Sequence, residues 1–317
     1  MNILITGGAG FIGSHLCRTL LDKGYRVICV DNLLTGSKQN ISELLDNDRF
    51  TFIKHDITID FQKIVPQLGS VNQIYHLASP ASPVAYQKYP IETIHVNTLG
   101  TYFLLKLAYA VGAKFLFTST SEVYGDPLEH PQKETYKGNV NSFGARSCYD
   151  ESKRCGEAYV YTFATKFNVD TRIVRIFNTY GPRMEKNDGR VISNFVNQAI
   201  GKQPITIHGE GHQTRSFCYV SDMVEGIIRA MEAENTKSEV INLGNTDERT
   251  VNEIADLIIK LSGSTSKKSY KELPSDDPAR RQPDITKAKT LLGWEPKVQL
   301  DEGLKKTITY FKEIIHS

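Results

Sequence analysis

The sequence predicts an α/β fold: a doubly wound parallel sheet with a smaller, interleaved C-terminal substrate lobe. Three observations carry this. Short β-branched or aromatic runs alternate with helical patterns through the first half. A glycine cluster follows the first run at once. Beyond about Asn178 the alternation loosens into turn-rich stretches.

The strand runs are Asn2–Thr6, Tyr25–Val30, Phe50–Lys54, Gln73–Leu77, Lys114–Ser119 and Thr171–Phe177. Helical patterns lie between them, notably Phe11–Leu21, Glu92–Ala110 and Glu151–Phe167. Turns at Tyr180–Arg183 and His208–Gln213 interrupt the second half. A helix over Asp222–Glu234 leads to a buried run, Glu239–Leu243, expected to rejoin the main sheet. Further helices are expected near Thr250–Leu261 and Leu300–Ile315. The expected division is a cofactor-binding domain over 1–177, rejoined by about 217–245, and a mainly substrate-binding lobe over 178–317.

The 317 residues carry 38 Lys+Arg against 36 Asp+Glu, a net charge of +2. That balance argues against a general nucleic-acid binder but leaves room for a small phosphate pocket. No apolar run reaches the ~18 residues of a membrane span. The N-terminus is a strand pattern without a basic leader, so no signal peptide is expected. Five scattered cysteines form no CxxC or Cys/His cluster, so neither a disulfide framework nor a metal site is expected. A reduced, cytoplasmic setting follows as the expectation.

Gly7-Gly8-Ala9-Gly10-Phe11-Ile12-Gly13 sits between the first strand and helix, and reads as GxxGxxG or as GxGxxG. Missing side chains let the backbone approach a pyrophosphate at a helix N-terminus. Asp31 ends the second strand 18 residues after Gly13, where a carboxylate accepts from ribose hydroxyls and repels a 2′-phosphate. A Rossmann-type site for NAD rather than NADP is expected, with Asp56 near the adenine edge.

Tyr149 and Lys153 are four residues apart, so a helix places both on one face. A tyrosine base needs its pKa of about 10 lowered, and a neighbouring ammonium with a cationic nicotinamide ring would do so. Thr118–Gly125 closes the fifth strand at the ligand-binding edge of the sheet, where hydroxyls can bond a substrate alcohol as it becomes a ketone.

Gly7–Gly13, Asp31, Leu77-Ala78-Ser79, Asn97, Thr120 and Tyr149/Lys153 together resemble the extended short-chain dehydrogenase/reductase family of nucleotide-sugar enzymes, through Leu292–Pro296. The resemblance implies NAD held by Gly7, Gly10, Phe11, Ile12, Gly13, Asp31, Asn32, Thr35, Gly36, Asp56, Ile57, Leu77 and Ser79, with Tyr149 and Lys153. It implies oxidation at the sugar C4 hydroxyl and dimerisation through the Glu92–Ala110 and Glu151–Phe167 helices. A 4,6-dehydratase resembles Thr-Asp-Glu after the fifth strand; this chain has Thr120-Ser121-Glu122, without the acid for water loss.

The stretches His76–Pro83, Ser119–Gly125, Arg175–Thr179, Asp188–Val191 and Asp276–Asp284 resemble the UDP-glucuronate decarboxylase branch of that family. The resemblance implies a UDP-glucuronate substrate and a UDP-xylose product. It assigns Thr120 and Tyr149 to the C4 redox steps and Arg281 to the carboxylate. By the same resemblance, Glu122 and Ser121 would orient the sugar and help reprotonate C5. Asn178, Arg190, Val191 and Arg215 join Glu122, Tyr149 and Arg281 in binding the substrate. The alternatives are a nucleotide-sugar 4,6-dehydratase, a C4 epimerase, or a non-catalytic NAD-binding regulator. Cys148 is read as a packed thiol, His76 and His95 as structural, and Lys267-Lys268 as a solvated loop.

Overall fold

A computed structural model of the chain describes residues 1–59, 61–272 and 280–316. Six strands in the first half are β1 (Asn2–Thr6), β2 (Arg26–Asp31), β3 (Phe50–Lys54), β4 (Gln73–His76), β5 (Lys114–Thr120) and β6 (Thr171–Ile176). With Glu239–Leu243 they form a seven-stranded sheet in the order Glu239–Leu243, β6, β5, β4, β1, β2, β3. Every pairing in it is parallel. The late strand Glu239–Leu243 does rejoin the main sheet, as expected.

Strand alternation builds two cores. Ile3 and Ile5 face one side with Cys29, Leu116 and the helix Val220–Glu232. Leu4 faces the other with Phe115, Phe117 and helices Thr101–Val111 and Ser147–Phe167. The expected helix over Glu92–Ala110 is instead Pro90–His95, a π turn over Val96–Gly100, and Thr101–Val111. The Asn97 carbonyl in that turn accepts from Thr101 Oγ1 at 2.7 Å. A Cβ on Gly156 would lie 2.9 Å from the same carbonyl, so the neighbouring helix crosses closely there.

Beyond β6 the chain adds short strands that sequence periodicity did not reveal. Thr214–Ser216 pairs with both Glu248–Thr250 and Arg280–Arg281. The last pairing places Arg281 directly opposite Arg215. Trp294 is buried and donates to the Asp222 carbonyl at 2.9 Å, while the Asp222 carboxylate accepts from the backbone of Lys297 and Val298. These bonds pin the C-terminal segment to the helix behind the sheet. Lys268 lies in a strand and pairs with Asp256 at 2.7 Å, rather than in a solvated loop.

Candidate active site

The strand order reverses between β1 and β4, and a crevice opens beyond their carboxyl ends. It is the floor of a cavity of about 1250 Å³ that runs out beneath the later short strands. Every expected site residue lines this cavity, from Gly7 and Asp31 at one end to Arg215 and Arg281 at the other. His95 lines it as well. Residues 276–279 of the Asp276–Asp284 stretch lie outside the described residues.

The glycine loop resolves as GxxGxxG. Gly7 has φ +74°, and a Cβ there would lie 2.6 Å from the Ala78 nitrogen. A Cβ on Gly13 would lie 2.1 Å from the Gly7 carbonyl oxygen. Gly8 turns away, with its Cβ position against the Cys29 and Cys17 sulfurs. Helix Phe11–Asp22 begins at Gly10 without a side-chain cap, so its first N–H groups are left for an anion. The Asp31 carboxylate accepts from the Ala9 N–H at 3.0 Å and the Leu33 N–H at 2.8 Å, and burial pushes its pKa up. Asn32 donates to Asp56 at 2.9 Å.

Helix Ser147–Phe167 starts early enough to hold both Tyr149 and Lys153. The Lys153 ammonium donates to the Thr118 carbonyl at 2.8 Å and lies 4.8 Å over the Phe117 ring. Burial pulls its pKa down to about 7. The Tyr149 ring stacks on Tyr86, with centroids 5.1 Å apart. Burial pushes the phenol above its usual value, and the hydrogen bond with Thr120 is the strongest pull downward. Arg190 pulls the same way more weakly, and the Lys153 ammonium lies 5.9 Å from the Tyr149 ring centroid, itself weakened as a cation by desolvation.

At the end of the cavity away from the glycine loop stands a charge cluster. Glu122 opens the turn after β5, and both its oxygens meet the Arg281 guanidinium, with Nη2 to Oε2 at 3.0 Å. Arg146 holds the same carboxylate from the other side. Burial opposes the charge, but the two guanidiniums prevail and hold the Glu122 pKa at about 2. Glu122 therefore stands ionised. Arg190 is tethered to Asp188 through Nε at 2.7 Å and lies 5.7 Å over the Phe11 ring. The Asn178 side-chain nitrogen is buried in the cavity wall without a hydrogen-bond partner among the described residues.

Sequence reasoning missed Arg146, Tyr86 and Asp150. Arg146 precedes the Tyr149 motif by only three residues. Its partner Glu122 is 24 residues away, however, and no local spacing announces the pair. Of the residues read as bystanders, His95 lines the cavity, while His76 and Cys148 are held by packing. Both His76 ring nitrogens contact threonine hydroxyls, Thr6 at 2.8 Å and Thr101 at 3.1 Å. Burial pushes the Cys148 thiol up.

The family model described as GDP-mannose 4,6 dehydratase matches residues 4–307. UDP-glucuronic acid decarboxylase 1 of Arabidopsis thaliana is 51% identical over 99% of this chain and 71% of its own length. Its namesake from Xenopus tropicalis is 51% identical over 99% of this chain and 73% of its own. The chain belongs to the UDP-glucuronic acid decarboxylase family of extended short-chain dehydrogenases/reductases. Among solved structures, UDP-glucuronic acid 4-epimerase from Bacillus cereus, in complex with UDP-glucuronic acid and NAD, superposes with a TM-score of 0.89. It is 32% identical, covering 99% of this chain and 100% of that one. UDP-glucose 4-epimerase from Thermotoga maritima gives 0.91 at 34% identity, with 99% and 100% coverage. Among the described residues no helix is long and apolar enough to cross a membrane, and no cluster of ligating side chains could hold a metal.

Proposed function

We propose that the chain is an NAD-dependent UDP-glucuronate decarboxylase that makes UDP-xylose. The observation that carries the reading is the Glu122–Arg281 pair standing in one cavity with Thr120, Tyr149 and Lys153. A carboxylate-bearing sugar needs a cation beside its redox centre, and this pair supplies one. About 51% identity to decarboxylases, against 32–34% to the epimerases, favours decarboxylation over C4 inversion.

The cradle fits NAD. Gly7 and Gly13 leave no room for side chains, the helix start at Gly10 is uncapped, and Asp31 is backed by Gly36. We assign Phe11, Ile12, Asn32, Thr35, Asp56, Ile57, Leu77 and Ser79 to the same cofactor. Held there, NAD would supply a reversible hydride acceptor for the sugar C4 carbon.

The chain's residues do the rest. Tyr149 removes the C4 hydroxyl proton, with Thr120 pulling its pKa down. Lys153 holds the ribose edge. Arg281 exchanges Glu122 for the substrate carboxylate, while Arg146 keeps Glu122 in place. Once C4 is a ketone, the C6 carboxylate belongs to a β-keto acid, and CO2 leaves with its bond electrons passing to an enolate. Ser121 and Glu122 face the sugar; Asn178, Arg190, Val191 and Arg215 take the UDP.

The reading divides the chain into a cofactor part, 1–177 with about 217–245, and a sugar part over the rest of 178–317. A homodimer through the helices Pro90–Val111 and Ser147–Phe167 accounts for exposed Ile91, Leu99, Tyr109, Tyr161 and Phe167 on them. Five unpaired cysteines suit a reducing cytoplasm. The test is product identity by NMR after incubation with NAD and UDP-glucuronate. UDP-xylose is expected; UDP-galacturonate would establish an epimerase instead.

A further inference from the structure

Decarboxylating a carboxylate consumes a proton. The C5–C6 bond breaks, CO2 departs, the electron pair rests on C5 and the C4 oxygen, and C5 then takes up a proton. Tyr149 holds the proton removed from the C4 hydroxyl and owes it back when C4 is reduced. Glu122 stands ionised between two guanidiniums. The proton for C5 therefore comes from elsewhere, while the nucleotide sugar fills the main cavity.

Behind Glu122 lies a second cavity, of about 310 Å³. Its inner wall is Glu122, Arg146 and Asp150, and its outer wall includes the exposed residues Asp126, Asn139 and Asn141. Glu122 and Arg146 line both cavities, so they are the partition between them. Asp150 is only 5% exposed, and its Oδ1 has no hydrogen-bond partner among the described residues. Its Oδ2 lies 3.9 Å from Arg146 Nε.

We propose that Asp150 is a proton-relay residue, taking the consumed proton from solvent through the second cavity and passing it to Glu122 once Arg281 has turned to the substrate carboxylate. Glu122 then delivers the proton to C5, and Asp150 is recharged from solvent. The exchange of Arg281 is what makes Glu122 able to accept, because one of its two cations has left. Burial and the Glu122 charge push the Asp150 pKa up to about 7, against Arg146 and Arg281, so the acid form is available at neutral pH. Glu122, Arg146, Arg281 and Glu151 are the charged groups that bear on it. The plain alternative is an acidic residue placed in a helix's first turn for its dipole, which would affect stability alone.

This inference rests on the decarboxylase reading. The test compares wild type, Asp150→Asn, Asp150→Glu and Val140→Phe on UDP-glucuronate across neutral pH, following CO2, kcat, KM and NAD affinity. Asp150→Asn is expected to lower kcat by about 10²-fold, the low end of the range for a proton-transfer group, with KM and NAD affinity nearly unchanged. Wild-type kcat should fall as pH rises through about 7, where both Asp150 and Lys153 lose their protons; the fall should be shallower in Asp150→Asn and regain its wild-type steepness in Asp150→Glu. Val140→Phe, which narrows the second cavity and leaves Asp150 in place, should lower kcat in the same direction. Full turnover in Asp150→Asn or Val140→Phe, an alkaline limb as steep in Asp150→Asn as in wild type, or equal losses in kcat, KM and NAD affinity would overturn the relay. Absence of CO2 from the wild type would instead refute the decarboxylase reading itself.

Discussion

The two ends of the long cavity are built from different materials. The glycine-loop end is mostly backbone: Gly7, Gly10 and Gly13, an uncapped helix start, and one carboxylate tied to two N–H groups. The far end is mostly long charged side chains: Glu122 between Arg146 and Arg281, and Asp188 with Arg190. Backbone geometry is fixed by what is missing, so adding an atom damages it. A charge cluster is fixed by what is present, so removing an atom damages it, and the groups left behind lose their compensation. Binding of the shared cofactor and turnover of a particular sugar should therefore fail independently.

The largest expected effect tests the charged end. Tyr149→Phe should lower kcat by about 10²–10⁴-fold, the loss of a general base, and Arg281→Ala by a similar order through its carboxylate contact. NAD affinity in both, measured by calorimetry, should stay within about twofold of wild type if backbone dominates the other end. Next is the backbone end. Gly13→Val would put a side chain against the Gly7 carbonyl, where even a Cβ lies 2.1 Å away. It should abolish NAD binding and cost about 1–3 kcal/mol of stability, read by denaturant unfolding.

A smaller effect separates the ends by pH. The folded-state pKa of Glu122 is depressed from 4.5 to about 2. Its contribution to stability is therefore full above about 4.5 and lost as pH falls toward 2. Removing Arg281 should shrink that acid-sensitive part, seen as a shallower fall of the urea midpoint in Arg281→Ala over that window. The smallest effect lies away from both ends. Thr250 and Glu253 cap the helix Val251–Ser262 reciprocally. Thr250→Ala should cost about 1 kcal/mol with kcat unchanged.

This contrast also explains what could be read in advance. The sheet, its glycine loop and Asp31 were legible because each is a local pattern: alternation, spacing, a carboxylate at a strand end. Tyr149 and Lys153 were legible as a four-residue spacing on one helix. The choice between two glycine readings was not, because it turns on Gly8 meeting Cys29 from another strand. The charge cluster was only partly legible. Arg281 reaches Glu122 across 159 residues of chain, and Arg146 acquires meaning only when the turn after β5 folds beside the helix that Arg146 leads into. Short strands such as Arg280–Arg281 have no periodicity to detect, yet the one that sets Arg281 beside Arg215 positions both.

The central claim is that the charged end removes the sugar's carboxyl carbon. UDP-glucuronate labelled with carbon-13 at C6, incubated with the purified chain and NAD, tests it most directly. The account predicts that the label leaves as CO2 in equal amount to the UDP-xylose formed, with no net gain of NADH. Label retained in the sugar while C4 inverts, or while NAD binds and nothing turns over, would contradict it.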